Sequence, residues 1–472
     1  MDEELSDKAV LGRSRIFTPA VINDIHVKAE LGRYRMRGFS LFKKMPSFDE
    51  LMFLPGTLTR FVIEGYREKC STKTVLGARF ARNPIVLDIP IYITGMSFGA
   101  LSIEAKTALA RGASMAGTAT CSGEGGMIPP ERDHSTKWFY QCIQSRYGFN
   151  PHHLMLADVC EFFIGQGCKV GLGGHLMGQK VTEQVAEMRS LPVGIDQRSP
   201  ARHPDWLGPD DLSLKIQEIR EATDYRIPIQ LKLGAARVYD DVRMAAKCSP
   251  DTIYLDGAEG GTGAGPHIAA EETGIPLMAA IPEARRALED VGLVDEIDLV
   301  VAGGIRNGGD VAKCLALGAK AVAIGHSALM ALNCNKEIAG VTDYEGTVGV
   351  PAGQCYHCHT GRCPVGITTQ DPELRKRLVV DEAAERVYNF LHTLTLEVQM
   401  LARACGKTDV HSLEPEDLCA LTLEAAAMAK VPLAGTSYVP GQSEERALAE
   451  VRSLLEKYVA DPGGFGGGRA GV

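Results

Sequence analysis

The chain has 472 residues, 45% of them hydrophobic, and a net charge of −9 from 50 basic and 59 acidic side chains. That balance excludes a nucleic-acid binder, which needs a basic face for phosphate, and no charge-free apolar run is long enough to span a membrane. The acidic start, Met1-Asp-Glu-Glu, lacks the apolar core of a secretory signal, so the 13 cysteines read as reduced thiols of a cytoplasmic protein.

Residues 1–75 are mixed and polar, and are expected to wrap a core. From 76 to 350, short apolar runs ending near glycine alternate with amphipathic stretches. Eight runs read as strands: 90–95, 117–122, 141–145, 169–173, 228–234, 252–256, 298–303 and 321–325. Runs this short, separated by helical periods, predict parallel strands buried on both faces. Eight of them favour a closed α/β (β/α)8 TIM barrel over an open sheet. Two longer excursions, 123–140 and 174–210, are expected over the C-terminal mouth, where catalytic loops gather. Residues 310–318 predict a helix closed by Gly318. Residues 351–375 form a cysteine-bearing loop. Within 376–460, helical spacing at 380–405 and 414–430 predicts helices packed outside the barrel. The glycine-rich segment 461–472 predicts a fraying tail.

Three features carry chemistry. Cys355-Tyr-His-Cys358-His-Thr-Gly-Arg-Cys363-Pro364 gathers three thiolates in one short loop, a donor set suited to an iron–sulfur cluster. Zinc with His357 or His359 as fourth ligand is the alternative, and unliganded structural cysteines a third reading. The odd cysteine count argues against a complete disulfide framework, and Cys334 is a more distant additional donor. The ends of the last two strands, Gly303-Gly304 and Gly325-His326, expose backbone N–H groups where such barrels hold phosphate. The glycine-rich 257–265 lacks the spacing of a nicotinamide-binding turn. Lys232 lies within an apolar strand, where a lysine needs an anion: the electron-rich edge of a reduced flavin, or an interior salt bridge.

Five further pieces stand in order across roughly residues 85–405. They are Gly95-Met-Ser-Phe-Gly-Ala-Leu-Ser102, Ser122-Gly-Glu-Gly-Gly126, Arg146-Tyr-Gly-Phe149, Gly257-Ala-Glu-Gly-Gly-Thr-Gly-Ala264 and Cys363-Pro-Val-Gly-Ile-Thr-Thr-Gln-Asp-Pro-Glu-Leu-Arg375. Together they resemble the central, flavin-binding part of the glutamate synthase large subunit. The resemblance implies an FMN-carrying barrel beside a three-iron cluster, where an imine of 2-oxoglutarate takes a hydride from reduced FMN. Carried over by position, Met96, Ser97, Ser122, Gln141 and Lys232 would contact the flavin, and Gly303, Gly304, Gly325 and His326 its phosphate. Glu124 and Lys169 would act with Lys232 in catalysis. Lys169, His175 and Arg189 would bind the 2-oxo acid, and Cys355, Cys358 and Cys363 the cluster. Leu172 and His175 stand where the family has glutamate and glutamine, which implies a less acidic and more apolar pocket. Cys355 lies three residues later than the family's first cysteine, which leaves a four-iron cluster open.

The family's N-terminal glutaminase nucleophile has no counterpart at Asp2, and no glycine-repeat β-helix is read after residue 405. The chain thus resembles the C subunit of the N-methylglutamate synthases (methylamine–glutamate N-methyltransferases), a split branch of the family. Glutaminase-like and glycine-repeat β-helix subunits are the implied partners in a hetero-oligomer. Methylamine and 2-oxoglutarate or glutamate are the implied small molecules, with ammonia as the alternative nitrogen donor. A non-catalytic scaffold and a hydroxy-acid-oxidising FMN barrel are the readings from other classes.

Overall fold

The computed structural model describes residues 14–65, 67–442, 452, 453 and 456. The expected tail at 461–472 lies outside the described residues, as do 1–13 and most of 443–460. Eight parallel strands form one sheet: β1 Ile91–Ile93, β2 Thr120–Cys121, β3 Trp138–Cys142, β4 Val159–Phe163, β5 Ile229–Gly234, β6 Thr252–Asp256, β7 Asp298–Ala302 and β8 Ala321–Ile324. Each strand pairs with its chain neighbour from β2 to β8, and β8 pairs with β1. The last gap is bridged by the Ile93 N–H, which donates to the Ala119 carbonyl just before β2 at 3.0 Å. The sheet is thereby a TIM-type barrel, and its interior is filled by side chains.

Strand register sets those fillings in layers. Phe139 lies beside Val159 in the lowest layer, where Tyr92 stacks on Phe139 at 4.7 Å. Gln141, Glu161, Gln230 and Thr252 are register neighbours one step up and form a polar layer. Phe163, Lys232 and Tyr254 are neighbours in the layer above, at the open end. The opposite end is stoppered by the antiparallel hairpin Thr74–Leu76 and Ile85–Leu87, whose Leu76, Ile85 and Leu87 join the interior cluster.

The polar layer explains two corrections. Residues 169–173 are not a strand: Gly167–Lys169 is a 3-10 turn, and the fourth strand is Val159–Phe163. Glu161 interrupts that apolar run, yet its carboxylate is satisfied by glutamines on both neighbouring strands. The third strand runs Trp138–Cys142, three residues before the reading at 141–145. The second excursion is accordingly the whole stretch from residue 164 to the helix Pro209–Ala222.

Outside the barrel, the 25-residue helix Val380–Ala404 packs against the helices Ile103–Met115 and Gly308–Ala316, the places of a first and a seventh barrel helix. Contact is backbone-close: a Cβ at Gly112 would fall 2.6 Å from Val387 Cβ, and one at Gly308 would fall 2.4 Å from Glu397 Cβ. The helix read at 310–318 begins at Gly308, capped by the Asn307 side chain, and ends at Ala316. Residues 414–430 are not one helix. Pro415–Asp417 is a 3-10 turn, Leu418–Ala420 pairs antiparallel with Leu51–Phe53, and only Leu423–Ala429 is helical. Among the described residues no helix is long and apolar enough to cross a membrane.

Candidate functional site

A cavity of about 830 Å³ opens at the C-terminal ends of the strands. It brings together Met96, Ser97, Glu124, Gln141, Lys169, His175, Lys232, Gly303, Gly304, Gly325, His326 and Cys358 of the residues singled out above. Ser122, Leu172, Arg189, Cys355 and Cys363 do not line it.

Lys232 forms the floor. Its ammonium lies 4.2 Å from the centre of the Tyr254 ring and donates to Thr94 Oγ1 at 3.1 Å, which in turn bonds the Tyr254 hydroxyl at 2.7 Å. No ion pair to Lys232 is present among the described residues, so the interior salt bridge is absent and ammonium donors remain for a ligand. Asp256 stands one layer higher; burial raises its pKa, opposed by the nearby Lys232 charge.

Beside the floor, glycines bring backbone close. Gly303 has φ +122°, and a Cβ there would meet the Gly257 backbone nitrogen at 3.1 Å. A Cβ at Gly261 would overlap the His326 ring outright. His326 is held against Phe39 at 4.5 Å, and burial pulls its pKa down to about 4. It therefore faces the cavity as a neutral ring and offers a hydrogen bond rather than a charge.

Gln141 is oriented from below. Its amide nitrogen donates to Glu161 Oε1 at 2.6 Å, while Gln230 donates to Glu161 Oε2 at 2.6 Å. With its amide nitrogen turned to Glu161, the Gln141 side-chain oxygen is the end left over. Ser122 supports this strand from behind, its hydroxyl accepting from the Gln141 backbone N–H at 3.0 Å.

The wall is made by the loops. Lys169 is 2% exposed, and no hydrogen bond or ion pair involves its ammonium among the described residues. His175 bonds Asp196 at 3.0 Å, and Glu124 accepts from the Ser199 hydroxyl at 3.0 Å. Arg189 corrects the expectation for a substrate anchor. Its guanidinium sits behind the Glu124 loop, donating to the Phe98 carbonyl at 2.8 Å, to Gln197 at 3.2 Å and to the Glu124 carbonyl at 3.3 Å. Those acceptors take donors of both terminal nitrogens, Nε is buried without a partner, and the side chain does not line the cavity. Leu172 is a second correction: at 38% exposed and off the cavity, it does not make the pocket apolar.

The cysteine loop is stitched to the same mouth. Lys180 donates to the Ala100 carbonyl at 2.8 Å and to the Cys358 carbonyl at 3.0 Å, and burial lowers its pKa to about 8. Ser102 donates to the Gly366 carbonyl at 2.7 Å, and Gln370 to the Leu101 carbonyl at 2.8 Å. Among the described residues no three His, Cys, Asp or Glu side chains converge on one point, as a zinc site with His357 or His359 would require. The thiols are nonetheless neighbours: burial first, then Cys358, Cys363 and Cys355, push the Cys334 thiol well up. A cluster distributes its thiolates over several irons, so neighbouring rather than converging sulfurs suit it. The Tyr344 hydroxyl, on a residue 5% exposed, lies against the Asn335 backbone with no acceptor for its own proton, and its pKa is raised by burial and then by Cys334, Cys363 and Cys355. A free hydroxyl proton beside buried thiols fits a sulfur-rich cluster. The floor ammonium, glycine-lined strand ends and amide oxygen fit an FMN ring and phosphate in kind.

Among the cavity residues that went unread are Thr94, Tyr254, Asp256 and Glu259. Glu259 sits inside the quoted 257–264 motif, which was weighed only for its glycines. Its carboxylate accepts from the Leu277 N–H at 3.0 Å, and burial raises its pKa to about 7.

Residues 66–408 match the family model described as the conserved region in glutamate synthase. The chain is 53% identical over 430 residues to a glutamate synthase large subunit-like protein of Rhizobium meliloti, covering 91% of this chain and 97% of that one. It is 34% identical over 413 residues to an archaeal-type NADPH glutamate synthase of Dehalococcoides mccartyi, covering 84% of this chain and 79% of that one. Against the NADPH glutamate synthase large chain of Bacillus subtilis the identity is 30%, over 84% of this chain but 24% of that one.

Proposed function

The chain belongs to the glutamate synthase family, and on that premise we propose that it is the FMN- and iron–sulfur-carrying subunit of an amino-acid synthase. It joins an amine to 2-oxoglutarate and reduces the resulting imine. The observation that carries this is the pair of buried lysines, Lys169 and Lys232, facing one glycine-lined cavity with no ion pair to either among the described residues, the nearest charge being Asp256 beside Lys232. A buried charge without a partner is costly and is retained where a ligand supplies the counter-charge. Lys169 binds a carboxylate of the 2-oxo acid, with His175 on the same wall. Glu124, held by Ser199, exchanges protons with the incoming amine. Lys232 stabilises negative charge at the floor. FMN, when bound, supplies the hydride, and the cluster supplies electrons to it.

In the N-methylglutamate form of the proposal, methylamine is the nitrogen donor and N-methylglutamate the product. With Leu172 off the cavity, that form rests on the resemblance to the split branch and on His175. In this proposal partner subunits supply the amine, a part that rests on the resemblance to the split branch. The test begins with flavin and iron content of the purified chain. The reduced protein, with its co-purified partners, is then mixed with 2-oxoglutarate and either methylamine or ammonium, and the products are identified by mass spectrometry. Absence of flavin ends the proposal. Glutamate from ammonium with no N-methylglutamate from methylamine ends its N-methyl form.

A further inference from the structure

We propose that Cys334 is a fourth cluster ligand, so that the site takes a four-iron cluster rather than the three-iron cluster implied by the family. The proposal rests on the iron–sulfur reading above and goes beyond it in naming the ligand set and the cluster type.

Cys334 is twenty-one residues before Cys355, yet one side chain fastens the two segments together. Asn335 accepts from the Cys355 N–H at 2.8 Å and donates to the Cys355 carbonyl at 3.3 Å. The same amide donates to Cys334 Sγ at 3.7 Å. The turn is built for this: Asn333 and Asn335, on either side of Cys334, take φ +77° and +61°, a conformation asparagine tolerates better than most residues. Cys334 is thereby brought beside Cys355, which shares its loop with Cys358 and Cys363.

Two donors complete the surroundings. The Asn335 amide points at one sulfur, and the buried Tyr344 hydroxyl has no acceptor for its proton. Hydrogen bonds to cluster sulfurs stabilise the reduced, more negative state and raise the potential. Each thiol loses its proton on ligation. With three thiolates one iron of a cubane lacks a protein ligand and is readily lost; a fourth cysteine retains it.

The full chain, purified without oxygen, is assayed for iron, acid-labile sulfide and flavin, with electron paramagnetic resonance before and after dithionite. About four irons per chain are expected, with no signal as isolated and one on reduction. Cys334→Ala is expected to keep its flavin, fall to about three irons and show the signal of an oxidised three-iron cluster. Tyr344→Phe is expected to keep its iron while the cluster potential falls. A three-iron cluster in the unaltered chain, or a four-iron cluster that Cys334→Ala leaves unchanged, overturns the assignment and leaves the synthase reading intact. Absence of both flavin and iron defeats that reading itself. If Cys334→Ala does not fold, Cys334→Ser decides, and a four-iron cluster with unchanged signal and potential overturns the assignment.

Discussion

The floor and the wall of the cavity hold cations by different means. On the floor, Lys232 projects from β5 between Phe163 and Tyr254, neighbours fixed by strand register. Strand carbonyls are committed to the ladder, so among the described residues its ammonium finds one hydroxyl and the rings of Tyr254 and Phe163. On the wall, loops turn their carbonyls inward. Arg189 and Lys180 each meet two of them, whereas Lys169 meets none. Buried cations of similar appearance in the sequence thus divide into two roles. Those that meet backbone carbonyls hold loops in place, and those that do not are left for ligands.

Substitutions can break this division. The largest effect is expected from Lys232→Met: turnover should fall about 10²- to 10³-fold, as when one preorganised donor is removed. Its thermal unfolding should hold steady, because no ion pair is lost; a large drop in Tm would instead make Lys232 structural. Lys169→Met should raise KM for the 2-oxo acid roughly tenfold to a hundredfold, from about 1.5–3 kcal/mol for a charged hydrogen bond. Steady-state kinetics showing an unchanged KM would remove it from the substrate site.

Arg189→Ala should act in the opposite sense. Orphaning the carbonyls of Phe98 and Glu124 should cost about 1–3 kcal/mol of stability, read by denaturant unfolding. A variant that is fully stable but cannot bind 2-oxo acid would restore Arg189 as an anchor. The smallest effect concerns Glu259, whose pKa burial raises from 4.5 to about 7. Between those values the folded chain holds a proton that the unfolded chain has lost, so this group's contribution to stability falls as pH rises from about 4.5 to 7. Glu259→Gln should remove that part of the pH dependence, measured as Tm across the range.

Much of the barrel was legible because parallel strands buried on both faces are continuous apolar runs. The runs at 228–234, 252–256, 298–303 and 321–325 correspond to observed strands. β4 was not legible, because Glu161 is acceptable only where Gln141 and Gln230 from other strands reach it. Residues 169–173 carry the same local signal as a strand, alternating apolar residues ending in glycine, and turn out to follow a 3-10 turn. Local pattern cannot separate these cases, since it does not report partners across the sheet.

The site divides likewise. Sequence by itself determined which chemical groups were available: the glycine pairs at strand ends, an inward lysine on an apolar strand, and a loop of soft ligands. Those follow from short-range rules on backbone freedom, apolar periodicity and ligand type. Tertiary structure alone decided which of those groups remain unsatisfied. It turned Arg189 away, left Lys169 open, moved Leu172 off the cavity and brought Cys334 to the cysteine loop. Each of those outcomes depends on backbone carbonyls or side chains far away in sequence. In a buried site, function belongs to the polar groups that the rest of the fold leaves unpaired.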